Sequence, residues 1–218
     1  MEKIKNIRKK LRHQRSVRRR KLGLSTPTQI ICVSFIIVIA LGTLLLTLPI
    51  ASRHGRLDVL NAMFTATSAT CVTGLVVRDT WTQFTWFGQA VVLLLIQVGG
   101  LGLVTLTSFF ALAMRRRMGF RDLRLLGESV SADGYDQAKS VLKIVVGLAA
   151  MFEGIGILLL TFAFVPQFGL EGVWVSVFTA ISAFCNAGFD LFGRFGAYSS
   201  LVPYVNNYYV QAVIIFMI

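Results

Sequence analysis

Two kinds of apolar segment alternate along this chain, and they differ in length. The longer kind comprises Thr28 to Leu48, Thr80 to Met114 and Ile144 to Leu170, which together contain one charged residue, Glu153. As an α-helix, the 21 residues of the first rise about 31 Å, close to the hydrocarbon thickness of a bilayer. We therefore predict three membrane spans.

The shorter kind comprises Leu57 to Ala69 and Gly172 to Phe184. Thirteen residues rise only about 20 Å as a helix, too little to cross a bilayer. Each is predicted to be re-entrant, so that it enters and leaves by the same face. The chain becomes apolar again at Tyr204 and stops at Ile218, so the last span is expected to be truncated. The predicted fold class is an all-α integral membrane protein.

The composition supports this class. Of 218 residues, 55% are hydrophobic and 15% charged, and the mean hydropathy is +0.70, whereas a soluble domain carries about 25% charge. We expect no enzymatic activity, because both histidines, His13 and His54, lie outside the spans and form no nucleophile–base pair. Cys32, Cys71 and Cys185 lack C-x-x-C spacing and favour neither a disulfide framework nor a zinc site.

Positive charge predicts the orientation. Residues 1–24 hold eleven of the 22 Lys and Arg residues, and residues 115–143 hold seven more. By the positive-inside rule both regions are cytoplasmic, and the short segments open outward. A basic tail also suits nucleic acid or a solvated flank. Because this one directly precedes an apolar span, we interpret it as a membrane flank and expect no nucleic-acid partner.

The two short segments are copies of one motif. Residues 64–74 read FTATSATCVTG and residues 178–188 read FTAISAFCNAG, with seven of eleven positions identical at a constant offset of 114. Each copy lies between two spans. The predicted unit is therefore span, pore helix, filter loop and span, as in a potassium channel, and it occurs twice.

A half-length helix followed by a glycine-containing loop suits a monovalent cation filter. The carbonyl end of such a helix favours a cation, and loop carbonyls can replace the hydration shell of an ion. Gly74 and Gly188 would permit backbone angles that a Cβ opposes. Close packing of small residues is the competing interpretation for either copy alone, but the shared register favours the filter.

Other residues leave more than one interpretation open. Glu153, inside a span, is either a functional carboxylate or a structural hydrogen-bond acceptor. Asp79 and Asp190 follow the two loops and would concentrate cations at the outer mouth, or do nothing specific. The glycine-rich run at residues 97–102 lies in an apolar span without a βα unit, so we assign it to close helix packing rather than nucleotide binding.

Three runs, TSATCVTGLVVRDT, IQVGGLGLVTLTSF and ISAFCNAGFDLFG, resemble the membrane subunits of the Trk/Ktr/HKT potassium transporters, above all those of the KtrB type. The resemblance covers about residues 26–218. It implies four span–pore-helix–span repeats around one pore, of which two are present, as in an N-terminal half. The filter residues that it implies are Thr70, Cys71, Val72, Thr73, Gly74, Phe184, Cys185, Asn186, Ala187 and Gly188.

The resemblance also implies K⁺ as the transported ion, in some members with Na⁺ dependence, and no bound cofactor or side-chain metal site. It implies a homodimer in the bacterial plasma membrane, with a cytoplasmic nucleotide-binding regulatory subunit of the KtrA kind. The predicted regions are a basic tail (1–25), a first repeat (26–117), a cytoplasmic connector (118–143) and a second repeat (144–218). The alternative function is a non-conducting membrane scaffold, or a half-subunit without transport of its own.

Overall fold

The computed structural model describes residues 27–115 and 133–218, and the elements in these ranges are helical. The predicted basic tail (1–25) and residues 118–132 of the predicted connector lie outside the described residues. In chain order the α-helices are α1 (Pro27–Leu46), α2 (Val59–Thr70), α3 (Thr80–Gln83), α4 (Trp86–Arg115), α5 (Asp133–Phe168), α6 (Glu171–Phe184) and α7 (Tyr208–Met217). Short 3₁₀ turns lie at Pro49–Ala51, Phe192–Arg194 and Val202–Tyr204.

The chain divides into two compact units. The first is Met1–Val38, whose described part is the beginning of α1, and the second is Ile39–Ile218. In the second unit α4 contacts α2 and α6, and α5 packs against α6 and α7. The short helices α2 and α6 are thus held by the long ones.

Large apolar side chains cover much of the outer surface of the second unit. Leu44, Leu158, Phe162 and Ile215 are each exposed over more than half of their surface. Contiguous apolar surface of this kind is unfavourable in water and suits contact with lipid. Within the described side chains, one helical stretch, Lys143–Phe168, is long and apolar enough to cross a membrane, and four shorter apolar helices accompany it.

The predicted span Thr80 to Met114 is interrupted near its start. Phe84 is extended, with φ −96° and ψ 140°, and it forms an isolated antiparallel bridge with Ser52. Thr85 donates its backbone N–H to Ala51 O at 3.1 Å and its hydroxyl to Ile50 O at 2.6 Å. Because these bonds draw the backbone away from helical geometry, the long helix begins only at Trp86.

A left-handed glycine joins α5 to α6. Gly169, at φ +62°, donates its N–H to Val165 O at 2.8 Å and accepts from Gly172 N at 3.0 Å. A Cβ on Gly172 would collide with the backbone at Phe164. The two helices therefore turn back on each other within two residues, which fixes where α6 begins.

Glycines also set how closely α4 approaches the short helices. A Cβ on Gly99 would collide with the carbonyl of Thr70, the last residue of α2, and one on Gly100 would collide with the side chain of Cys185. The interpretation of this run as close packing is confirmed. Its two central glycines contact the ends of both short helices.

Candidate functional site

The loops that follow α2 and α6 share one hydrogen-bond pattern. In each, three successive backbone N–H groups bond back to the helix at equivalent positions. The bonds are Cys71 N to Thr67 O (2.8 Å), Val72 N to Ala69 O (3.3 Å) and Thr73 N to Ser68 O (3.0 Å), matched by Cys185 N to Ile181 O (2.9 Å), Asn186 N to Ala183 O (2.9 Å) and Ala187 N to Ser182 O (2.8 Å). The offset is 114 in every case, as in the sequence.

Backbone angles repeat as well. Val72 and Asn186 both have φ 55°, while Gly74 and Gly188 have φ 72° and 71°. A β-branched residue such as valine is rarely found at positive φ, because its side chain crowds the backbone. Finding the same angle at both copies indicates a loop geometry imposed by its surroundings rather than by local preference.

The two loops meet at their glycines. A Cβ built on Gly188 would lie 3.4 Å from the Cα of Gly74, and one built on Gly74 would lie 3.0 Å from the carbonyl oxygen of Ala187. Gly74 therefore has two reasons to be glycine, its positive φ and the nearby carbonyl oxygen of Ala187, whereas Gly188 has one, its positive φ. The sequence predicted the first reason, whereas the second depends on tertiary structure.

A buried serine forms a hydrogen bond with each loop, but the position of its partner relative to the glycine differs between the two loops. Ser68 Oγ lies 2.9 Å from Thr73 Oγ1, one residue before the glycine. Ser182 Oγ donates to Phe189 O at 2.6 Å, one residue after the glycine. These serines occupy equivalent positions in the two copies. The two loops therefore share their backbone geometry but differ in the side-chain hydrogen bonds that hold them. Sequence reasoning did not identify this role.

The predicted filter residues differ in exposure. Cys71, Thr73, Asn186 and Gly188 are exposed, Val72, Gly74 and Phe184 are intermediate, and Thr70, Cys185 and Ala187 are buried. Thr70 is 1% exposed, and its Oγ1 has no hydrogen-bond partner. The structure thus brings the two sets together at Gly74 and Gly188, with the helix ends buried behind the exposed loop residues.

Two glutamines of α4 connect it to the second half of the chain. Gln89 Oε1 accepts from Trp174 Nε1 at 2.8 Å, while its Nε2 donates to Phe84 O at 3.2 Å. One end of α4 is thereby tied to α6. Eight residues later, Gln97 Nε2 donates to Glu153 Oε1 of α5 at 2.8 Å.

Asp79 is buried and hydrogen-bonded rather than exposed at an open mouth. Its side chain is 6% exposed, and its carboxylate accepts from Thr82 N at 2.8 Å and from Tyr198 N at 3.0 Å. It packs so closely against Gly193 that a Cβ there would collide with it. Asp79 therefore caps α3 and joins two distant loops.

Asp190 is half-buried and accepts from Phe192 N at 2.9 Å. Burial raises the pKa of its carboxyl above the usual value, opposed by the Phe192 N–H, and the nearby charge of Asp79 raises it further.

An aromatic and cationic cluster, not predicted from the sequence, lies beside these loops. The guanidinium groups of Arg53 and Arg194 lie 5.1 and 5.2 Å from the ring centre of Trp81. Arg194 also lies 4.2 Å from the ring centre of Phe168 and forms an ion pair with Glu171 at 3.3 Å. Such contacts contribute about 0.5–1 kcal/mol each where exposed, so the cluster joins the loop before α2 to α3 and to the segment after α6.

Helical elements, lipid-compatible surface and paired loops define a helical membrane protein. Residues 4–218 match the TrkH family, described as cation transport proteins. The chain belongs to this family.

Similar relatives are potassium uptake proteins. The Ktr system potassium uptake protein B of Bacillus subtilis (strain 168) is 38% identical over 193 residues, 88% of this chain and 42% of the relative. The potassium/sodium uptake protein NtpJ of Enterococcus hirae is 36% identical over 190 residues, 86% and 41% of the two chains. The Ktr system potassium uptake protein B of Vibrio alginolyticus is 37% identical over 180 residues, 82% and 38%.

The chain spans about two fifths of the length of these relatives. The similarity falls on the N-terminal half of the protein B relatives, as the sequence motifs indicated.

Proposed function

We propose that this chain is a pore-forming part of a potassium uptake system of the bacterial plasma membrane. The observation that carries the proposal is the duplicated loop: two short helices end in loops with the same φ angles and hydrogen bonds, and the loops meet at Gly74 and Gly188. A non-conducting scaffold would not require positive φ angles at equivalent positions of both loops, as at Val72 and Asn186. Membership of a cation transport family and similarity to potassium uptake proteins agree with it.

In this proposal the backbone carbonyl groups of the two loops form the ion filter. The residues that form it are Thr70, Cys71, Val72, Thr73 and Gly74 in the first loop and Phe184, Cys185, Asn186, Ala187 and Gly188 in the second. Their carbonyls replace part of the hydration shell of K⁺, and the carbonyl ends of α2 and α6 add roughly half a negative charge each. Irregular backbone at membrane depth is tolerated where it lines such a path.

The proposed architecture is two span–pore-helix–filter-loop–span repeats out of four, with the N-terminus in the cytoplasm. A homodimer and a KtrA-like cytoplasmic regulatory subunit complete the proposed assembly, consistent with relatives named as parts of a Ktr system. The name of the Enterococcus relative includes sodium, so Na⁺ dependence is part of the proposal to be measured.

The experiment is potassium uptake in a bacterial strain that lacks its own uptake systems. The full-length gene product is expected to restore growth on micromolar K⁺, and residues 1–218 alone are not. A pore with two of four filter strands leaves backbone groups unpaired, which costs several kcal/mol for each group. Membrane insertion of the full-length protein without uptake would support the alternative, a non-conducting scaffold.

A further inference from the structure

Glu153 is a buried acid that has no cationic partner among the residues that the structure describes. Its side chain is 7% exposed and lies inside the apolar stretch Lys143–Phe168. Among the described residues the one ion pair is Arg194–Glu171, far along the chain from this position. A buried carboxylate is very unfavourable unless a positive charge or several donors compensate it. The donor that the structure provides is the neutral amide of Gln97.

Neighbouring atoms increase this excess of acceptors. Gln97 Oε1, on the same amide that donates to Glu153, is buried and has no hydrogen-bond partner. Two buried acceptor oxygens therefore lie close together at the contact between α4 and α5. Such a pair is stabilised by a cation nearby.

The position of Glu153 relates it to the second filter loop. Phe152, the preceding residue, stacks on Phe184, the last residue of α6, with ring centres 6.5 Å apart. Cys185, which follows Phe184, is the first residue of the loop. On α4, Gly100 touches Cys185 one helical turn after Gln97. The carboxylate thus lies at the depth where α6 ends and the loop begins.

We infer that Glu153 is an electrostatic positioning residue for the transported cation, and that Gln97 holds its carboxylate beside the start of the second filter loop. The inference rests on the proposed function. The permeating K⁺ supplies the positive charge that the described protein does not. At an effective dielectric constant of about 20, two opposite charges separated by up to roughly 10 Å change an equilibrium by about tenfold.

The test measures rubidium uptake by the full-length protein in an uptake-deficient strain, giving a half-saturation constant and a maximal rate for each variant. Glu153→Gln keeps the shape and hydrogen bonding of a neutral acid but removes the charge. It is expected to raise the half-saturation constant about tenfold with unchanged membrane expression. Glu153→Asp retains the charge and should change the constant less.

Exchanging the two residues distinguishes the effect of the negative charge from the effect of the hydrogen bond between Gln97 and Glu153. Gln97→Glu combined with Glu153→Gln restores one carboxylate and one amide but moves the charge from α5 to α4. Because Gln97 Nε2 and Glu153 Oε1 are 2.8 Å apart, the charge moves little, and this double variant is expected to recover most of the affinity that Glu153→Gln loses. The matched control is Trp174→Phe, which removes a neutral hydrogen bond to Gln89 and should leave the half-saturation constant unchanged.

Two results would overturn the inference. An unchanged half-saturation constant in Glu153→Gln would identify a protonated, structural acid, and an exchanged variant as impaired as Glu153→Gln would show that the negative charge does not position the cation. Absence of uptake by the unmodified protein would instead refute the proposed function, so the two failures are distinguishable.

Discussion

Gly74 and Gly188 face each other across the two loops, close enough that a Cβ on Gly188 would lie 3.4 Å from the Cα of Gly74. The contact joins residues 114 positions apart that have nearly the same φ, 72° and 71°. A change at one glycine therefore acts on both loops.

Replacing either glycine by alanine should alter ion preference. At both positions the new Cβ opposes a left-handed angle, at a cost of about 1–2 kcal/mol, and at Gly74 it also crowds the carbonyl oxygen of Ala187. We expect a higher K⁺ half-saturation constant or admission of Na⁺ in the full-length protein, measured by competitive rubidium and sodium uptake.

Gly154→Ala provides the control for this prediction, because a Cβ there meets no atom within 4 Å. It should leave expression and uptake unchanged. If both loop variants retain the ion preference and affinity of the unmodified protein, the filter assignment is incorrect.

Gly99→Ala should destabilise the protein rather than change its selectivity alone. The added methyl group collides with the carbonyl of Thr70, and overpacking of this kind costs about 1–3 kcal/mol. The expected result is a lower unfolding temperature of the detergent-purified protein and less protein in the membrane. Gly147→Ala, on a helix where a Cβ meets no atom within 4 Å, should show neither effect.

Asp79→Ala should weaken the link between the loop that precedes α3 and the loop that contains Tyr198. It leaves the backbone N–H groups of Thr82 and Tyr198 without their acceptor, at a cost of about 1–3 kcal/mol for a buried group. A lower unfolding temperature with an unchanged K⁺ half-saturation constant is expected. A changed half-saturation constant with normal stability would contradict this interpretation and indicate that Asp79 attracts cations.

The proposed orientation is tested by cysteine labelling of whole cells. In a cysteine-free protein, a single cysteine at His54, an exposed position in the loop before α2, should react with an impermeant maleimide. A single cysteine at Ser131, in the predicted connector, should react only after the membrane is permeabilised. Labelling at Ser131 in intact cells would reverse the topology.

The short helices and their glycines were predictable because the sequence repeats itself at an offset of 114. The hydrogen bonds of Ser68 and Ser182 to the loops were not predictable. Both residues are serines at equivalent positions, yet Ser68 bonds to Thr73 Oγ1 and Ser182 bonds to Phe189 O. Nothing local to either copy distinguishes them. Likewise, Asp79 accepts a hydrogen bond from the backbone N–H of Tyr198, which lies 119 residues away. The pattern of apolar residues along the sequence does not predict such a long-range contact.

That separation between Asp79 and Tyr198 has a consequence for biogenesis. At about 5–20 residues per second, a ribosome needs about 6–24 s to add the intervening residues. During that interval the loop that holds Asp79 has no partner for one carboxylate oxygen, and its carboxylate must stay hydrated. Helices α1 to α4 can enter the membrane before α5 to α7 are made, but this loop reaches its final form only after Tyr198 has been translated.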